Sequence, residues 1–238
     1  MKLFLIRYTK LLFIWLRLHG VVKYFQKGLQ NLAYLSEFSE WVKENKPAFI
    51  YNDFPSKWNY EKRYVLYEHV LASEQLHEPI NYLEFGVATG QSFKWWAEKN
   101  KNQESRFYGF DTFTGLPEDW GPFKKGSMST GNIIPAVNDE RTKFYTGLFQ
   151  QTLPEFTSTF DKAKRNVIMM DADLYSSTLY VLTVLAPYLK KNDIIFFDEF
   201  VVPMHEFKAY LDFIGSYYIK LQPIAAANNY YFVAFKVS

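Results

Sequence analysis

The sequence predicts an α/β fold, built on a mostly parallel sheet and preceded by a helical extension. Apolar strand patterns alternate with helical patterns from about residue 80 onward, which is typical of a parallel sheet covered on both faces. With 238 residues the chain is long enough for one full α/β domain and a further helical segment. We therefore expect an extension at residues 1–50 and the α/β domain at residues 51–238.

The individual elements follow from their local patterns. Residues 1 to about 45 have a helical pattern, the two-proline stretch NKPAFIYNDFPSKWN is a connector, and YEKRYVLYEHVLASEQL is a further helix. Seven strands are predicted at NYLEFGV, RFYGFD, KFYTG, NVIMMDA, DIIFFDEF, YYIKLQPI and NNYYFVAFKV. The last two strands have no helix between them, so the final strand is predicted to be antiparallel.

The first 22 residues are apolar but carry regularly placed cations. Lys2, Arg7, Lys10 and Arg17 leave no run approaching the roughly 20 apolar residues that a membrane span needs. On a helix the cations fall on one side, which predicts an amphipathic helix with a wide apolar face. We expect this face to pack on the domain or on a second subunit of a homo-oligomer; the alternative is peripheral contact with a membrane surface.

Composition excludes several kinds of function. The chain has no cysteine, which removes disulfides, thiolate zinc sites and cysteine nucleophiles and fits a cytoplasmic protein. Lys and Arg total 27 against 25 Asp and Glu, so a nucleic acid is not the expected partner. The four histidines are not spaced as a zinc pair, so any metal would be held by oxygen ligands.

Acidic residues follow the predicted strands at the points where they end. Ligands of open parallel sheets bind beyond these carboxyl ends. The residues concerned are Glu84, Asp111, Asp171, Asp173, Asp198 and Glu199. Glu84 and Asp111 are 27 residues apart, as are Asp171 and Asp198, which is one strand–helix–strand unit in each case. The sequence therefore predicts one acidic rim.

The turn after the first of these strands suits a nucleoside cofactor. Gly86 and Gly90 allow the backbone to approach a ligand closely, and the amides that open the next helix favour an anionic group. Asp111 is placed to accept hydrogen bonds from ribose hydroxyls. Tight helix–strand packing is the alternative explanation of the glycines.

Asp171, Asp173, Asp198 and Glu199 predict a metal site. Such acids repel one another when close together, and Mg²⁺ relieves this with carboxylate and water ligands. The alternative is solvated acids or acids paired with lysines. No Lys or Arg occurs at residues 168–180 or 194–206, so we expect no local cationic partner. The 30-residue stretch 112–141 is too long for an ordinary connection and is expected to be a lid or binding loop.

Successive motifs resemble those of macrocin/mycinamicin/novobiocin-type sugar O-methyltransferases. The matching stretches are YLEFGVATGQS, YGFDTFTGLPE, FYTGLFQQTLP, MDADLYSSTLYVL and DIIFFDEF, in the same order, across roughly residues 80–215. The resemblance implies a class I, Rossmann-like methyltransferase that uses S-adenosylmethionine (SAM) and Mg²⁺. It also implies a glycoside or saccharide acceptor, from a natural product or a polysaccharide.

The resemblance also implies roles for individual residues. It implies that Asp173 is the general base, and that Asp171, Asp198 and Glu199 bind the metal. Glu199 stands where the family often has Asp. The cofactor-binding residues are expected to be Glu84, Gly86, Val87, Gly90, Ser92, Asp111, Phe113 and Phe149.

Two other functions stay open at this stage. The Asp-Ala-Asp at 171–173 is also the Asp-x-Asp pattern of metal-dependent glycosyltransferases, and a non-catalytic binding protein could retain a SAM-like site. A nicotinamide oxidoreductase is disfavoured because Gly-x-Gly-x-x-Gly is absent.

Overall fold

A computed structural model describes residues 2–238 and contains one eight-stranded sheet. Met1, the first residue of the predicted extension, lies outside the described residues. In chain order the strands are β1 (Tyr51–Asn52), β2 (Ile80–Phe85), β3 (Arg106–Asp111), β4 (Thr142–Thr146), β5 (Arg165–Met170), β6 (Ile194–Phe197), β7 (Leu221–Ala227) and β8 (Phe232–Val237).

Within residues 2–238, seven α-helices accompany the sheet. They are α1 (Lys2–Trp15), α2 (His19–Asn45), α3 (Lys62–Ser73), α4 (Gln91–Lys99), α5 (Phe149–Thr159), α6 (Tyr175–Leu185) and α7 (Lys208–Tyr217). The C-terminal part of α2 joins α5, α6 and α7 in one hydrophobic cluster, while α3 and α4 contribute to a second. Alternate residues of the central strands enter the two clusters, so the sheet separates two cores.

The strand order is β1-β7-β8-β6-β5-β2-β3-β4. β8 pairs antiparallel with both β6 and β7, and the other pairs are parallel. The predicted α/β fold with an antiparallel last strand is thus confirmed. The extra strand, β1, is a two-residue pairing beside β7, which is too short to leave a periodic pattern in the sequence.

The register of the central strands brings their carboxyl ends level. Phe85 of β2 pairs with Phe110 of β3 on one side and with Met170 of β5 on the other. All residues of β2 are buried, as expected for a central parallel strand. The acids that end or follow these strands consequently meet at one edge of the sheet.

The N-terminal helices attach to the domain by a short contact. Phe38 and Trp41 are the buried residues of α2, and they pack against Phe200 and Phe207. α1 buries no residue, so its apolar face does not pack on the rest of this chain. Among residues 2–238, no helix has the length and apolar character needed to cross a bilayer.

Candidate functional site

A pocket of about 300 Å³ opens at the carboxyl edge of the sheet, under the loop 112–141. This volume is within the range of small-molecule sites. Its lining combines a glycine turn, carboxylates and loop residues. The side chains and backbone that line it include Tyr60, Arg63, Glu84, Gly86, Val87, Ser92, Asp111, Leu116, Met128, Phe149, Asp171, Asp173, Ser177 and Glu199.

The turn between β2 and α4 has no room for side chains at its glycines. Gly86 has φ +95°, and a Cβ there would overlap the carbonyl oxygen of Asp171. Gly90 caps α4 with φ +75°, and its Cβ would stand 2.8 Å from the Pro135 ring of the loop. Both glycines are therefore required by close packing of this turn on Asp171 and on the loop, and Gln91 and Ser92 at the start of α4 line the pocket.

Asp111 joins this turn to the loop. Its Oδ2 accepts a hydrogen bond from the Ala88 amide at 2.7 Å, and its Oδ1 accepts one from the Phe113 amide at 2.7 Å. Each oxygen keeps a further lone pair for a ligand. Asp111 thus fixes the turn and still lines the pocket.

Glu84 is almost fully buried at the floor of the pocket. Its carboxylate accepts a hydrogen bond from the Tyr82 hydroxyl. Burial raises the pKa of Glu84 well above its usual range, and the nearby Asp171 adds to the increase.

Asp171, Asp173 and Glu199 face the same pocket. Asp173 has φ +58°, and the Leu174 amide donates to the Ala172 carbonyl across it, which makes a γ-turn directly after β5. Burial and neighbouring carboxylates raise the pKa of Asp171 to about 6, of Asp173 to about 8 and of Glu199 to about 7. These carboxyl groups are therefore too close together, and too buried, to be all ionised at neutral pH.

Asp198 lies below the pocket, in an ion pair with a residue that is distant in sequence. Arg63 Nη2 is 2.6 Å from Asp198 Oδ2, and Arg63 Nη1 is 3.8 Å from Asp171 Oδ2. The Tyr60 hydroxyl donates to Asp198 Oδ2 at 3.3 Å, and the Arg63 guanidinium lies 3.7 Å from the centre of the Tyr60 ring. The sequence predicted no cationic partner within residues 168–180 or 194–206, and the partner that the structure supplies is Arg63 of α3, which lies outside both stretches.

The acids suit a hard cation in chemistry but are not assembled as a ligand set. Asp198 Oδ1 is buried and has no hydrogen-bond partner among residues 2–238, and carboxylate oxygens are the ligands that Mg²⁺ prefers. Between Lys2 and Ser238, however, no three His, Asp or Glu side chains stand together as metal ligands do. Arg63 supplies part of the neutralising charge.

Most of the predicted cofactor-binding residues line the pocket. The exceptions are Gly90, which caps α4 behind the turn, and Phe113, which is buried in the core beside it. Sequence reasoning missed Tyr60 and Arg63. Arg63 did leave a signal, since it continues the buried stripe of α3 one turn before Leu66.

The loop 112–141 spans the interval between β3 and β4, and its residues Leu116 and Met128 line the pocket. Ser176 at the start of α6 donates to Glu118 at 2.6 Å. Leu116 and Trp120 pack on Leu174 in a small separate cluster. Phe113 of the loop belongs to one of the two main cores, and Val137 packs on the same core, so both ends of the loop are anchored to the domain.

Comparison with known proteins agrees with this geometry. Residues 83–200 match the family described as a methyltransferase domain. The sheet order with its antiparallel last strand is the class I methyltransferase fold that the sequence predicts. The match to a methyltransferase domain together with this fold confirms the prediction of a methyltransferase.

Among solved structures, the calicheamicin methyltransferase CalS11 is similar with TM-score 0.57 and 22% identity, over 74% of this chain and 77% of that chain. The O-methyltransferase NovP gives a TM-score of 0.55 and 21% identity. The match covers 74% of this chain and 78% of that chain. The apo structure of CalS11, described as a TDP-rhamnose 3'-O-methyltransferase, gives a TM-score of 0.52 and 24% identity. The match covers 74% of this chain and 77% of that chain. No curated protein matches the chain significantly.

Proposed function

We propose that the protein transfers the methyl group of SAM to a hydroxyl group of a sugar. The observation that carries this proposal is one pocket that combines the Gly86 turn and Asp111 with the carboxylates of Asp171, Asp173 and Glu199. The likeness in fold to CalS11, whose description names a sugar nucleotide, supports the choice of acceptor class.

The pocket fits SAM in its chemistry, since the Gly86 turn, the start of α4 and the Asp111 carboxylate line it together. When bound, SAM supplies an electrophilic methyl group. The amides opening α4 would hold its carboxylate, and Asp111 would accept hydrogen bonds from its ribose. Glu84, Val87, Ser92 and Phe149 line the same part of the pocket.

Asp173 would act as the general base for the acceptor hydroxyl. It lines the pocket, and its pKa of about 8 lets the carboxylate take up and retain a proton near neutral pH. The γ-turn at this residue fixes the backbone from which the carboxylate projects.

We further propose that Mg²⁺ takes part, held by Asp171, Asp198 and Glu199, which would have to move together from the positions they have among residues 2–238 of the free protein. Support comes from the excess of carboxylates over the single cation Arg63 and from the unpartnered Asp198 Oδ1. A bound metal would lower the pKa of the acceptor hydroxyl.

The experiment is an assay of S-adenosylhomocysteine release with SAM and a panel of sugar nucleotides, glycosides and oligosaccharides, with Mg²⁺ or with EDTA. Turnover that needs Mg²⁺ supports both proposals, whereas turnover in EDTA rejects the metal. Methylation of non-sugar hydroxyls alone would reject the acceptor class.

Two alternatives are separated by ligand binding. A glycosyltransferase would be stabilised against heat by UDP- or GDP-sugars and not by SAM, because a ligand stabilises the fold that binds it. A non-catalytic binding protein would bind SAM without turnover on any acceptor in the panel.

A further inference from the structure

Residues 2–36 form a strongly cationic arm. This arm has six Lys and Arg and no Asp or Glu; the cations are Lys2, Arg7, Lys10, Arg17, Lys23 and Lys27. The rest of the chain holds the other 21 cations and all 25 acids, so it is net negative. Within residues 2–238, no salt bridge involves a residue of the arm.

The arm is also apolar and exposed. Phe4, Tyr8, Leu11 and Trp15 follow one another at helical spacing on one face of α1, with exposed fractions of 64%, 56%, 61% and 79%. From Leu3 to Leu35 the large apolar side chains are exposed, except for Leu18 and Tyr34, which are half-buried. An apolar surface of this extent marks an interaction site.

Length and charge restrict the partner. α1 has 14 residues and is about 21 Å long, shorter than the roughly 30 Å apolar layer of a bilayer. It can therefore lie on a membrane but not cross it. Trp15 and Tyr8 on the apolar face, with cations on the other side, are typical of helices that lie in the lipid headgroup layer.

We propose that this arm binds the surface of a bilayer that contains anionic lipids. A lipid surface supplies both an apolar layer for the Phe4 face and negative charge for the cations. Pairing with the arm of a second copy fits less well, because it would bring cations against cations with no acid between them. The proposal concerns attachment and does not depend on the reaction catalysed.

The test is sedimentation of the full chain with vesicles of phosphatidylcholine mixed with phosphatidylglycerol, and with vesicles of phosphatidylcholine alone. We expect binding to the anionic vesicles that weakens in high salt. Each cation at such a surface raises the binding constant about fivefold. Changing Lys2, Arg7, Lys10 and Lys23 to Gln should therefore lower the affinity for anionic vesicles more than about 100-fold.

Matched variants isolate the arm. The control variant removes the same number of positive charges from the domain instead of the arm, by changing four exposed lysines to Gln: Lys101, Lys125, Lys191 and Lys220. It should leave binding to the anionic vesicles unchanged. Phe4→Ser with Trp15→Ser should abolish binding without changing the melting temperature, since α1 buries nothing. The proposal is rejected if the protein does not bind anionic vesicles, or if the domain variant loses as much affinity for them as the arm variant. It is also rejected if analytical ultracentrifugation shows that the arm instead mediates dimerisation.

Discussion

Arg63 and Asp198 form a buried ion pair, with Nη2 and Oδ2 2.6 Å apart, although the residues are 135 positions apart in sequence. The arginine is 5% exposed and the aspartate 1%. This pair connects α3 to the end of β6 directly beneath the pocket, so both stability and the charge of the site depend on it.

Replacing Arg63 by Met should therefore be strongly destabilising. It leaves Asp198 buried without a counter-ion, which generally lowers the free energy of unfolding by about 3–5 kcal/mol. Urea denaturation measures the loss. Lys99→Met, which breaks the exposed pair with Glu68, is the control and should lose less than about 1 kcal/mol. A double change with Asp198→Asn should restore much of the loss; failure to do so would show that packing of Arg63 on Tyr60 matters more than charge.

Gly86→Ala should abolish SAM binding or prevent folding. The new Cβ would overlap the backbone of Asp171, which cannot move away as a flexible side chain could. Calorimetric titration with SAM and circular dichroism distinguish the two outcomes. Gly28→Ala in α2 is the matched control, because its Cβ meets nothing within 4 Å, and it should raise helix stability by up to about 1 kcal/mol. Wild-type affinity in Gly86→Ala would contradict the proposed cofactor position.

Asp173→Asn and Asp171→Asn should have different effects. Asp173→Asn removes the proposed base, so kcat should fall by about 10²–10⁴ while SAM and Mg²⁺ still bind. Asp171→Asn should lower kcat and should also weaken Mg²⁺ binding. The metal concentration that gives half-maximal turnover measures this affinity. Equal losses of metal affinity in both variants would refute the division of roles between Asp171 and Asp173. Glu104→Gln on the exposed surface is the control and should change neither kcat nor metal affinity.

The stability of the free protein should fall as pH rises from about 4 to 8. The folded-state pKa values of Asp171, Glu199 and Asp173 are raised to about 6, 7 and 8 from 3.8, 4.5 and 3.8. The folded state therefore holds more protons than the unfolded state across this window, and unfolding becomes easier as they are lost. Chemical denaturation at successive pH values, without metal or SAM, measures this. Asp173→Asn should flatten the part of the curve that extends to pH 8; an unchanged curve would contradict the assignment.

The parts of the fold that the sequence predicted are those with repeated local patterns. Buried strands such as β2 and β5 give continuous apolar runs, and their ends placed Glu84, Asp111 and Asp171 at one edge. Arg63 was missed because its partner in space is set by the packing of α3 on the sheet, which no local stretch reveals. The inward direction of Asp198 was missed for the same reason: a residue at a strand end can face the pocket or the core.

The length of α2 has a further consequence. Its 27 residues extend about 40 Å, and its buried residues begin only at Phe38, so the part of α2 that joins α1 to the domain is largely exposed. A protein attached to a surface through α1 meets acceptors displayed on that surface at a raised local concentration, whereas a freely diffusing sugar nucleotide gains nothing. Which acceptor is methylated then depends on where it is presented as well as on how it fits.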